Sequence, residues 1–188
     1  MPPSKIMVIR HAEKPDKSAG AMGVREDGKH DPDSLTVRGW QRAGALVTLF
    51  GPGGGPVRSG LATPDCVFAS SPGTSSSERP EETVSVLVAK LRETNRSLVT
   101  VFTHEKGSEL AMVADVMKRS GVVLISWQHE FIPGIGSIIF RNGSSCPQTW
   151  PAERFDLVWT FDHQADGSWR FIQVPQLLLA GDRMDVIA

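Results

Sequence analysis

Arg10-His11, Arg79, His104-Glu105 and His129-Glu130 are the residues whose types and places could do chemistry. Three of these groups follow a short apolar run of the kind that forms a buried strand: residues 6–9 before Arg10, 98–102 before His104 and 122–127 before His129. Arg79 comes after a further such run, 66–70, and a Ser/Gly loop at 71–77. Open parallel sheets bind ligands beyond the carboxyl ends of their strands, so two arginines and up to three histidines should meet on one edge. Phosphoryl transfer suits that set. The phosphoryl oxygens stay negative throughout, and a guanidinium offers planar, permanently charged donors that engage two of them at once. Neutral imidazole is a nucleophile toward phosphorus near neutral pH. Fixed positive donors then stabilise the transition state, and with two arginines and a second histidine no metal is required.

The elements between these points must do the positioning. A helix fits 36–50, with Ser34 or Thr36 as its cap and Leu35, Ala43, Leu46, Val47 and Phe50 on its apolar face. Gly51 to Pro56 ends it. A second helix runs from Arg79 or Pro80 to Arg92, with Pro80 in the first turn and Glu81 and Glu82 at the positive end of the macrodipole. A third covers 108–120, with Leu110, Val113, Ala114 and Met117 inward and Gly121 as its stop. A fourth covers 133–140, and 155–161 with 169–174 reads as a hairpin around Asp166-Gly167 that adds antiparallel edge strands. Strands alternating with helices predict one α/β domain over 1–188, a three-layer sandwich with a mostly parallel sheet and helices on both faces.

Composition narrows the function classes. The chain has 188 residues and a net charge of −1, which argues against a broad surface for nucleic acid or anionic lipid. No run approaches the roughly 20 apolar residues that span a bilayer, and a cytoplasmic location is expected. Cys66 and Cys146 fit no metal spacing, and two free thiols are expected rather than a disulfide. His30 and His163 lie in loop or hairpin contexts and match no zinc motif. Gly51 to Gly55 is not followed by the Gly-Lys-Ser/Thr of a phosphate loop.

Several segments together resemble the histidine phosphatase superfamily, the phosphoglycerate mutase-like fold. Arg10-His11-Ala12-Glu13-Lys14-Pro15 is similar to the family's RHG signature, with Ala12 in place of the usual glycine. Leu35-Thr36 with Gly39, Arg42 and Ala43 resembles the start of its first helix, and Ser70-Ser71-Pro72 with Arg79-Pro80 and Thr83 resembles the segment bearing its second arginine. Trp127-Gln128-His129-Glu130, with Ile132 and Pro133 beyond, resembles the strand end bearing its second histidine. The resemblance implies that His11 becomes phosphorylated, that Arg10 and Arg79 grip the phosphoryl oxygens, and that His129 donates to them. It leaves the proton donor open among Glu105, Glu130 and Glu13. It implies a hydrolase acting on a phosphorylated small molecule or phosphoprotein, with no cofactor. A phosphomutase and a phospho-ligand binding module are the alternatives. Lys14 and His104 are candidate substrate contacts, and loops 15–34 and 141–154 should set selectivity. Nothing in the sequence codes the oligomeric state.

Overall fold

The computed structural model describes residues 2–73, 77–141 and 146–188. Part of the Ser/Gly loop expected at 71–77, and part of the loop at 141–154, fall outside the described residues.

The elements follow in the order β1 (Lys5–Arg10), α1 (Val37–Phe50), β2 (Cys66–Ala69), α2 (Arg79–Thr94), β3 (Val99–Val101), α3 (Glu109–Val116), β4 (Val122–Trp127), α4 (Ile132–Phe140), β5 (Leu157–His163) and β6 (Trp169–Pro175). They form a six-stranded sheet of order β3-β2-β4-β1-β5-β6. The first four strands in sequence are parallel to their neighbours, while β5 runs antiparallel to β1 and β6 antiparallel to β5.

Alternation along the strands divides the core into two layers. Ile6 and Val8 of β1 face α3 and α4, where they meet Met112, Val113, Ile132 and Ile135. Met7 and Ile9 face α1 and α2, where they meet Leu46, Phe50, Val84 and Leu87. Strands covered on both sides must be apolar throughout, which is why β1 and β4 read as unbroken apolar runs. The architecture is thus the expected α/β sandwich with a mixed, mostly parallel sheet and helices on both faces.

The hairpin adds antiparallel strands at one side of the sheet as expected, with β5 between β1 and β6 and β6 at the edge. Two expectations change in detail. The third helix ends at Val116 instead of running to Ser120. Its chain tightens into turns in which Lys118 and Arg119 donate to carbonyls only three residues back. Gly121 then serves the start of β4: a Cβ there would lie 2.3 Å from the Asp65 carboxylate. The rotation of α3 also differs. Trp127 Nε1 donates to Glu109 at 2.8 Å, and the buried residues are Met112, Val113 and Val116, which leaves Leu110 71% exposed.

Both cysteines are buried and unpaired, and burial pushes the Cys66 thiol up to about 11. Among the described residues no helix is long and apolar enough to cross a membrane.

Candidate active site

β1 delivers Arg10 and His11 to the carboxyl edge of the sheet. The His11 amide donates to the Trp127 carbonyl at 2.9 Å, extending the β1–β4 pairing one residue past the strand. The His11 side chain is nearly enclosed, at 4% exposure. Its Nδ1 lies 2.8 Å from the Ala12 carbonyl oxygen. A carbonyl only accepts, so Nδ1 carries the proton and Nε2 holds a free lone pair. Burial holds the His11 pKa well below its ordinary value; Arg10, Arg79 and Lys14 push the same way, and the Ala12 hydrogen bond opposes them. The ring is therefore neutral at neutral pH, with one nitrogen oriented and the other available.

Arg10 is wholly buried. Its Nη1 donates to the Ala152 carbonyl and, at 3.2 Å, to that of Arg154. The guanidinium lies 3.7 Å above the Phe155 ring, a cation–π contact. Nε and Nη2 are buried with no hydrogen-bond partner among the described residues. Burial lowers the Arg10 pKa to about 10, against the opposing pull of Glu130, Glu13 and Glu153. Buried guanidinium donors without acceptors are costly, and an anion beside them would remove the cost.

Arg79 opens α2, where Pro80 suits the first turn and Glu81 and Glu82 complement the dipole. Its Nη1 donates to the Pro32 carbonyl at 3.1 Å, while its buried Nε has no partner among the described residues. Thr83, one turn on, accepts from the Ala12 amide at 2.8 Å and donates to the Arg79 carbonyl at 2.7 Å. That hydroxyl ties the segment after His11 to the helix bearing the second arginine. Ala12 is buried with Leu35 and Ala43, so its methyl is part of the packing.

His129 follows β4. Its Nδ1 lies 2.7 Å from a Glu130 carboxylate oxygen, but without the alignment of a hydrogen bond. Burial and the neighbouring Arg10 lower its pKa, while Glu130 pulls it upward. His11, Arg10, Arg79, His129 and Glu130 thus form one electrostatic cluster, with Lys14 acting on both histidines.

The other candidates have different surroundings. Glu13 is bound to Arg42, whose Nε and Nη2 reach it at 3.1 and 2.8 Å. The same guanidinium holds Asp182 and Gln176 of the C-terminal segment. Gly39 is required here, since a Cβ would come within 2.6 Å of the Glu13 carbonyl that also accepts from the Thr36 cap. His104 stacks on Phe68 and lies 3.4 Å from Asp115, so its ring is engaged with α3. Glu105 is exposed and lies over Gly73.

A cleft of about 800 Å³ adjoins the cluster, lined in part by Lys14, Met22, Val37, Glu153 and Phe155. Phe155 joins the two, with its ring 6.3 Å from that of His11. Segment 150–156 overlaps the loop 141–154 expected to set selectivity, but its hold on Arg10 was not anticipated. It supplies two carbonyls and an aromatic face to Arg10, and it is fixed by Arg154, which reaches Asp156 at 2.7 Å and the Asp185 carbonyl at 2.7 Å. Its one visible signal was a charged and aromatic run, Glu153-Arg154-Phe155, just before a strand. Among the described residues no cluster of His, Cys, Asp and Glu could hold a metal ion.

No family model matches the chain, and no curated protein matches it in sequence. Solved structures align with it over nearly its whole length. A protein from Nakamurella multipartitia described as the phosphohistidine phosphatase SixA is 17% identical and aligns over 92% of this chain and 96% of its own, with a TM-score of 0.52. A phosphoserine phosphatase from Entamoeba histolytica, in complex with phosphoserine, is 12% identical over 89% of this chain and 94% of its own, with a TM-score of 0.51. A mycobacterial glucosyl-3-phosphoglycerate phosphatase in complex with VO3 is 14% identical over 90% of this chain and 97% of its own, with a TM-score of 0.50. The chain has the histidine phosphatase, phosphoglycerate mutase-like fold.

Proposed function

We propose that this chain is a histidine phosphatase, a metal-independent phosphomonoesterase with His11 as nucleophile. The observation that carries the reading is the pairing of a neutral, oriented His11 with a buried Arg10 whose Nε and Nη2 have no partner among the described residues. A phosphoryl group supplies what both lack: an electrophilic phosphorus for Nε2 and oxygen acceptors for the guanidinium.

His11 Nε2 attacks phosphorus as the bond to the leaving oxygen breaks, giving phosphohistidine. Arg10 and Arg79 neutralise the oxygens through the transition state. A phosphoryl group between Arg10 and His129 adds negative charge that favours the imidazolium, which then donates to it. Water hydrolyses the phosphohistidine and restores neutral His11. The carboxylates considered as proton donor are Glu105, Glu130 and Glu13; Glu130 lies against His129, Glu13 is bound to Arg42, and Glu105 lies over Gly73. Lys14 lines the route from the cleft, and substrates are phosphorylated small molecules or phosphoproteins.

The test is p-nitrophenyl phosphate hydrolysis in excess chelator, wild type beside His11→Ala. Chelator-resistant turnover that vanishes in the variant is expected. Turnover surviving His11→Ala would overturn the mechanism. Transfer of labelled phosphoryl between phosphoglycerate isomers would show a mutase instead.

A further inference from the structure

We propose that the preferred substrates are phosphate monoesters of aromatic alcohols, an inference that rests on the phosphatase reading. Two independent features of the site converge on this class.

The first is the wall of the cleft. Met22 is 59% exposed and Val37 62% exposed, two of the more exposed large apolar side chains among the described residues, and both line the cleft beside His11. Phe155, Ala21 and Pro15 extend the apolar surface toward the cluster. Neither Met22 nor Val37 stands on a mobile tip. Met22 lies between the bridges Asp16–Ala21 and Gly23–Thr36, and Val37 is the first residue of α1 behind the Thr36 cap. Apolar side chains held open in a pocket with a charged end suit a ligand that is anionic at one end and apolar at the other. Lys14, Lys17 and Glu153 also line the cleft, while its other charged residues are engaged locally. Glu13 and Arg38 approach each other to 3.3 Å, and Asp16 caps its own turn through Ser18. About 800 Å³ is ample for an aromatic ring system.

The second is the state of the acids. The candidate proton donors are Glu13, Glu105 and Glu130. Glu13 is bound to Arg42, and Glu105 and Glu130 are exposed. A general acid must be held within hydrogen-bond reach of the leaving oxygen, and neither a carboxylate engaged by an arginine nor a solvent-facing one is held there. An alkoxide leaves poorly without such an acid. A phenolate, whose conjugate acid has a pKa of about 10, leaves without it. In the step, the Nε2–P bond forms, the P–O(aryl) bond breaks with its electron pair going to the phenolate, and the phenolate takes a proton from water. Hydrolysis of the phosphohistidine then releases inorganic phosphate.

The experiment compares kcat/KM of the full chain for 1-naphthyl phosphate, glycerol 2-phosphate and acetyl phosphate. Acetyl phosphate has a good leaving group but is too small to fill the cleft. Naphthyl phosphate is expected to exceed glycerol 2-phosphate by at least about a hundredfold, the lower end of what a general acid supplies. Met22→Ser and Val37→Ser are expected to lower the naphthyl-to-acetyl ratio of kcat/KM by about tenfold, the order seen for small changes in an apolar pocket. Acetyl phosphate turnover without an aryl preference, or an aryl preference that neither variant reduces, would overturn the proposal and leave the phosphatase reading standing. Absence of turnover on all three by a folded wild type would overturn both.

Discussion

Arg10→Lys separates the two tasks that one guanidinium performs. Nη1 is held by the carbonyls of Ala152 and Arg154, while Nε and Nη2 remain for a phosphoryl group. Lysine keeps the charge but has a single nitrogen. If that nitrogen stays with the two carbonyls, the phosphoryl oxygens lose the planar fork. If it swings toward them, the carbonyls lose their donor. Loss of one preorganised donor to developing charge costs about 10²–10³ in kcat, or about 2.7–4 kcal/mol. A fall of that size in kcat/KM for p-nitrophenyl phosphate is expected, together with weaker competitive inhibition by inorganic phosphate. The residue is wholly buried, so folding must be checked in parallel. One buried unsatisfied group costs about 1–3 kcal/mol, and each kcal/mol moves the melting temperature by about 2–4 °C in a chain of this length. Thermal unfolding should therefore remain cooperative. Activity within about threefold of wild type, under 1 kcal/mol, with phosphate inhibition unchanged would refute the division of labour.

Further outcomes follow from the same geometry. The His11 pKa is held well below 6.5 by burial and Arg10, so the nucleophile should stay neutral as pH falls through 6.5, and an NMR titration of its ring should find the midpoint below that value. Arg42→Met strands the carboxylates of Glu13 and Asp182, and breaking such a buried pair should cost about 3–5 kcal/mol in urea denaturation at neutral pH. The Asp182 pKa is depressed from 3.8 by its hydrogen bonds to Arg42 and two backbone amides, which outweigh burial. Its contribution is thus present above 3.8 and lost as pH falls through the lower folded value, so the penalty of Arg42→Met should shrink in that acid range. Thr83→Val keeps the shape but leaves the Ala12 amide and the Arg79 carbonyl without their shared hydroxyl, and should cost about 1–3 kcal/mol on thermal unfolding.

What was legible in the sequence was local. β4 runs from Val122 to Trp127 as its unbroken apolar pattern predicts, because a strand buried on both faces has no polar alternation to blur its ends. Arg10, His11, Arg79 and His129 were legible because each stands just past an apolar run or at a helix start. Long-range pairing was not. The rotation of α3 depends on the bond from Trp127 to Glu109, eighteen positions away, and no helical periodicity reports it. His104 follows β3 as expected, yet its ring turns to Asp115 and Phe68. Strand position sets the backbone, and rotamer and neighbours decide where the ring goes. Backbone carbonyls carry no sequence signature, so the Ala152 and Arg154 oxygens that hold Arg10 could not be anticipated from residue types.

The buried arginines show why the reactive pair stands where it does. Arg42 and Arg154 are neutralised: Arg42 by Glu13 and Asp182, Arg154 by Asp156 and Asp185. Each anchors the C-terminal segment, and each supports one side of the Arg10-His11 pair. Arg42 holds Glu13, two residues beyond His11, while Arg154 fixes the strand of backbone on which Arg10 rests. Among the described residues Arg10 and Arg79 have no such carboxylate partner, and each keeps a buried donor without an acceptor. A fold that minimised its own energy would have met those donors with an acid, as it did twice nearby. Buried donors call for acceptors, and a phosphoryl group beside His11 would supply them. Under the proposed function these donors are the ones a phosphoryl group would engage, and the carboxylate pairing of Arg42 and Arg154 keeps those two guanidinia from competing for it.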